Sequence, residues 1–175
     1  MRSDITVPVT RQSPDSEREN LNVPNSTDKR RDRLALRAAT SFMLHSVDLM
    51  ARVVGGDILR GVIFTAVVDA NVRHIRPGDV ISQSYSEATD SVPDDLRRPI
   101  SVHALALELD IPYETTRRHV NALIADGYCE RTDSGIVVPG TVIARDQMSM
   151  ALRRNFENQR RLVADLREGG VEFAA

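Results

Sequence analysis

From Tyr113 to Asn121 the sequence reads YETTRRHVN, and several of its side chains carry groups that match the edges of nucleic-acid bases. Arg117 and Arg118 each present a planar guanidinium fork, which pairs with guanine O6 and N7 or with phosphate oxygens. Asn121 has the donor and acceptor that read adenine, and Glu114 can accept from cytosine or orient an arginine. Thr115 suits a thymine methyl or a phosphate, and Tyr113 opens the run. A second polar group follows at Arg131, Thr132 and Ser134, at or beside the turn-forming cluster Thr132-Asp133-Ser134-Gly135. From such a tip Arg131 can reach a minor groove or the backbone. The plain alternative is an ordinary exposed helix face beside a solvated turn. An isolated Arg-Arg pair would favour that alternative, and Asp133 favours it at the turn.

The elements that must hold these groups can be read from spacing. Thr116, Val120, Leu123 and Ile124 recur three and four apart, so they face inward on a helix. That leaves Tyr113, Glu114, Thr115, Arg117, Arg118 and Asn121 facing outward. Upstream, Ser101 is a good N-cap, with Val102, Leu105, Ala106 and Leu109 following at helical spacing. Asp110 sits where that first helix must stop, because Asp tolerates the left-handed conformation. Ile111 drops an apolar plug into the turn, and Pro112 suits a turn or a first helical turn. Gly127 stops the second helix. Tyr128 to Arg131 and Ile136 to Val138 then read as short strands of a hairpin.

Within that stretch, Ile111 to Leu123 closed by Asp126-Gly127-Tyr128 resembles the recognition helix of the GntR and MarR groups of bacterial winged helix-turn-helix transcriptional regulators. The resemblance spans roughly forty residues, Ile100 to Pro139, and its motif speaks for fold more than for subfamily. It departs from the pattern at Pro112, where such families often carry Ser or Thr as the N-cap. It implies a mainly α protein with a small β-hairpin wing, and double-stranded DNA as the partner. With Arg117 and Arg118 set inside the whole motif, the functional reading outweighs the plain one.

Composition limits the alternatives. The formal net charge is −2, which counts against a nucleic-acid binder without defeating it, since the placement of charge decides steering. Lys29 is the sole lysine among the 23 basic residues. Arginine suits bidentate contacts, and the same bias follows from a GC-rich genome. No apolar run approaches a membrane span, and the first residues have no apolar core of a secretory signal. With one cysteine, the expectation is a reducing compartment, the bacterial cytoplasm. His45, His74, His103 and His119 are scattered, and with Cys129 they give no metal-ligand spacing. His103 and His119 are expected on the motif's outer surface or at phosphate. Cys129 is expected as a buried inert thiol. No nucleophile-base pair, glycine-rich phosphate loop or paired acid motif occurs, so neither enzyme activity nor a cofactor is expected.

The remaining chain frames this motif. Residues 1–28 are polar, hold Pro8, Pro14 and Pro24, and read as a disordered tail. Residues 29–56 read as an N-terminal helix, from about Arg33 to Val54, preceded by the block Lys29-Arg30-Arg31-Asp32-Arg33, whose charge Asp28 and Asp32 dilute. That block reads as a solvated helix start more than as a DNA-contacting arm. Residues 57–140 read as the winged helix-turn-helix domain. Asp57 caps a buried helix from Ile58 to about Arg73, and 76–99 read as an insertion more than as a functional flap. There Ser82 to Glu87 offers a short helical turn. Residues 141–175 read as a last helix, Val142 to Glu168, stopped by Gly169-Gly170. Both outer helices carry more apolar surface than one small domain covers, so they are expected to make a homodimer. Folding back on the same chain is the alternative for the last helix. Two other functions stay open: a winged helix used for protein contacts, and a regulator gated by a small-molecule effector that the sequence does not name.

Overall fold

A computed structural model of the chain describes residues 26–76, 78–79 and 92–171. Among these residues six α-helices, a 3-10 turn and one hairpin follow in order: α1 (Ser26–Val53), α2 (Ile58–Val72), the 3-10 turn (Asp94–Leu96), α3 (Val102–Leu109), α4 (Tyr113–Ala125), β1 (Glu130–Thr132), β2 (Gly135–Val137), α5 (Gly140–Ile143) and α6 (Asp146–Glu168). The fold is mainly helical with one small antiparallel hairpin, as expected. Among the described residues no helix is long and apolar enough to cross a membrane.

Local chemistry explains most boundaries. Gly55 and Gly56 end α1 at positive φ, and the Asp57 carboxylate accepts from the Arg60 amide at 2.9 Å to start α2. Ser101 caps α3 by accepting from the Ala104 amide at 3.1 Å. Asp110 ends α3 in the left-handed region at φ 52°, the role its position suggested. The hairpin pairs Glu130 with Val137 and Thr132 with Gly135. Ile100 adds a bridge to Ile136 through bonds of 2.8 and 3.1 Å. A side chain at Gly135 would meet the Ile100 backbone at 2.7 Å, so glycine permits that approach.

The core lies where α2, α4 and β2 meet. Ile63, Val67, Leu105, Val120, Leu123, Ile136 and Val138 are sealed from solvent. Burying each such side chain stabilises the fold by about 1.5–3 kcal/mol before conformational entropy is subtracted. α1 crosses α2 where Gly61 lies against Met50: a Cβ there would stand 2.7 Å from the Met50 carbonyl.

Four expectations need correcting or delimiting. The first helix begins at Ser26, inside the segment assigned to the tail, because the polar run Ser26 to Arg33 continues a helix that α6 supports further on. Residues 1–25 lie outside the described ones, as do 80–91, which include the helical turn expected at Ser82 to Glu87. The connection 76–99 contains the 3-10 turn and brings Arg97 into a buried position. The last helix is not continuous from Val142. Ala144 and Arg145 interrupt it, and Arg145 takes an extended backbone (ψ 143°) that redirects the chain into α6.

That redirection makes α6 run antiparallel to α1 within one chain. Asn158 donates to the Phe42 carbonyl and to the Ser46 hydroxyl, both at 3.1 Å, and Gln147 donates to the Val53 carbonyl at 3.3 Å. The apolar face of α1 therefore finds intramolecular cover that the sequence did not reveal. A strip remains exposed: Leu36, Met43, Phe156 and Val163.

Candidate nucleic-acid interface

α4 is held by its inward stripe. Thr116, Val120 and Leu123 are fully buried, which fixes the rotation of the helix and turns Glu114, Arg117, Arg118 and Asn121 to solvent. Its start carries no side-chain cap. Pro112 occupies the N-cap, its carbonyl accepting from the Thr116 amide at 3.0 Å. The far end is clamped. Arg60 donates to the Ala122 carbonyl at 3.0 Å and pairs with Asp126. Tyr128 lies between two guanidiniums, Arg60 at 5.8 Å and Arg145 at 5.7 Å from its ring centre, with Phe64 edge-on at 5.9 Å. Each cation–π contact contributes about 0.5–1 kcal/mol. Arg145 also donates to the Gly127 carbonyl at 2.8 Å, so the break before α6 and the turn after α4 share one anchor.

On the exposed face, Glu114, Thr115, Arg117, Arg118 and Asn121 line one shallow depression. Arg117 Nε and Nη2 donate to the same Glu114 oxygen at 2.9 and 2.7 Å. That bond raises the arginine's pKa above its usual value, so it stays fully charged. Arg118 has no ion-pair partner among the described residues, leaving its five donors to solvent. The hairpin reaches the same face: Arg131 Nη2 donates to Asn121 Oδ1 at 3.1 Å. Asn121 keeps a second lone pair and both amide donors for another ligand.

Three expected residues stand apart from this cluster. Tyr113 is exposed at the first turn of α4, its ring tilted toward His103 at 6.4 Å. Thr132 and Ser134 line a different depression, with Asp94, Arg97 and Glu130. The Thr132 hydroxyl is bonded to the Gly135 carbonyl at 3.2 Å, which ties it into the turn. His103 is exposed, as expected. His119 is not on the outer surface: its side chain is 12% exposed and lies 3.7 Å from the Asp57 carboxylate. Its place in the sequence beside Arg118 hid this, because one step along a helix turns the side chain by about 100°.

Sequence reasoning missed Asn71. It is fully buried in α2, donates to the Arg98 carbonyl at 2.8 Å and the Ile136 carbonyl at 3.2 Å, and accepts from the Val138 amide at 2.8 Å. An amide within the apolar run of α2 was the available signal, since buried polar groups require partners. Cys129 is buried, and burial pushes its thiol up to about 12. Among the described residues no group of three metal-ligating side chains comes together.

The chain matches no protein-family model, no curated protein and no solved structure.

Proposed function

We propose that the protein is a sequence-specific, double-stranded DNA-binding regulator of winged helix-turn-helix type. On this reading α4 enters the major groove, the hairpin acts as the wing, and the protein works in the cytoplasm as a homodimer. The observation that carries the reading is the joining of helix and hairpin on one exposed face, through the Arg131–Asn121 bond of 3.1 Å. A helix that reads base edges needs backbone contacts beside it to fix its register. Arg118 is free to take guanine or phosphate. Arg117 is aimed by Glu114, and Asn121 retains the groups that read adenine. On this reading Arg131 supplies a phosphate or minor-groove contact. Thr132 and Ser134 face the other side of the hairpin and are left with at most a supporting part.

A twofold dimer would set two such helices about one turn of DNA apart, roughly 34 Å, on a pseudo-palindromic site. Doubled phosphate contacts would offset the weakly acidic net charge. The test is selection from a randomised duplex pool followed by gel shift on the enriched sequence. Enrichment of one pseudo-palindromic motif supports the reading, and binding that ignores sequence counts against it.

The second reading is a winged helix that contacts a protein. It is favoured by the mixed charge of the region: Glu114 accompanies Arg117, Arg118 and Arg131 on this face, and Glu130 is exposed on the other side of the hairpin. Failure to retain any duplex at low salt would favour it, because phosphate contacts are strongest there.

A further inference from the structure

One flank of the α1–α6 pair is apolar and unclaimed by the site above. Leu36 and Met43 are seven residues apart on α1, and Phe156 and Val163 are seven apart on α6, so each pair projects from one side of its helix. All four are exposed, Leu36 at 69% and Phe156 at 52%. The opposite flank is polar, with Asp48, Arg52, Arg154 and Glu157 lining it. Antiparallel packing sets Phe42 beside Asn158, which brings Met43 level with Phe156 and Leu36 level with Val163. One turn beyond Leu36 stands Asp32, and one turn beyond Val163 stands Arg167, both exposed. Among the described residues Asp32 pairs only with Arg31, at 3.9 Å, and Arg167 has no ion pair. The two helices thus carry the same spacing of apolar groups, ended by an acid on α1 and a base on α6.

We propose that this flank seats a second copy of the chain about a twofold axis parallel to the helix pair. α1 of one copy then lies on α6 of the other. Leu36 meets Val163, Met43 meets Phe156, and Asp32 meets Arg167, twice over by symmetry. Charge selects this axis. An axis across the pair would lay α1 on α1 and leave Asp32 far from Arg167. The parallel axis also keeps both copies pointing the same way. Because α1 and α6 root in the core at the same end of the pair, both α4 helices emerge at that end, where one duplex can meet them. Arg153 and Arg160 lie further round α6 and stay at the solvent rim. The inference deepens the dimer part of the proposed function and stands apart from its DNA part.

Sedimentation equilibrium of the full chain tests it, with circular dichroism to verify that each variant is folded. The wild type sediments as a dimer at micromolar concentration. Asp32→Arg and Arg167→Asp each oppose like charges at both symmetric contacts and weaken self-association by about tenfold. Mixed in equal amounts, the two variants restore both contacts in a heterodimer and recover wild-type association. Phe156→Glu, at the centre of the strip, gives a folded monomer. A monomeric wild type, single variants that associate like wild type, or a mixture no tighter than its components overturns the proposal. A monomer that still binds one DNA sequence would remove the dimer and leave the DNA reading. A dimer that binds no duplex would do the reverse.

Discussion

The side-chain oxygen of Asn71, on α2, accepts from the Val138 amide at 2.8 Å inside the core. The same side chain donates to the carbonyls of Arg98 and Ile136, so one amide ties α2 to β2 and to the segment that leads into Ile100. Asn71→Ala therefore orphans the Val138 amide hydrogen and the Arg98 carbonyl, while the Ile136 carbonyl keeps its bond from the Ile100 amide. Leaving one buried group unpaired costs about 1–3 kcal/mol, so the variant loses at least that much in urea denaturation. A change within error would mean that water replaces the side chain without penalty.

Leu123 is sealed between α4 and the core, on the same stripe as Thr116 and Val120. Leu123→Ala should lower unfolding free energy by about 2–5 kcal/mol, the range for a buried truncation that leaves a cavity. Thermal melting measures this directly. Its neighbour Asn121 is exposed, and Asn121→Ala should leave the melt nearly unchanged.

Much of this arrangement was legible because it is periodic or capped. The stripe Thr116, Val120, Leu123 gave the rotation of α4, and with it, by complement, the outward set Glu114, Arg117, Arg118 and Asn121. Ser101, Asp110 and Gly127 marked helix ends through local backbone chemistry. What was not legible depends on distance across the chain. An apolar stripe on the last helix says that it packs on something, without saying on what, so its pairing with α1 was hidden. The break at Ala144 and Arg145 has neither Pro nor Gly to announce it. It follows from an anchor, Arg145 on Gly127 and Tyr128, that exists only once the chain is folded. The Arg131–Asn121 bond is of the same kind, spanning two elements.

Glu108 on α3 accepts from Arg73 at the end of α2 through bonds of 2.6 and 2.9 Å. The guanidinium bond holds its carboxyl below the ordinary 4.5. A depressed carboxyl stabilises the fold in its ionised form. The contribution is therefore complete above 4.5 and is lost as pH falls through the lower folded value. Glu108→Gln should melt slightly below wild type at neutral pH, and the two melting curves should converge in strong acid. A difference that persists or widens in acid would contradict the pairing.

Cys129 is 2% exposed, and its thiol is pushed up to about 12. Almost no thiolate exists at neutral pH, and alkylation requires thiolate and access. Iodoacetamide should label the native chain very slowly and the urea-unfolded chain at the rate of a free cysteine. Fast labelling of the native chain would show that the strand region opens readily.

The central claim is that the exposed face of α4 reads DNA sequence, and titration of a selected duplex with Arg117→Ala and Arg118→Ala measures it most directly. Each arginine that pairs with a base contributes on the order of 1–3 kcal/mol, about five- to 150-fold in affinity. Both variants should stay folded and lose affinity within that range on the selected sequence. Their binding to an unrelated duplex should fall much less, apart from the lost phosphate attraction. Variants that bind the selected duplex as tightly as wild type, or a wild type that selects no sequence, would contradict the account.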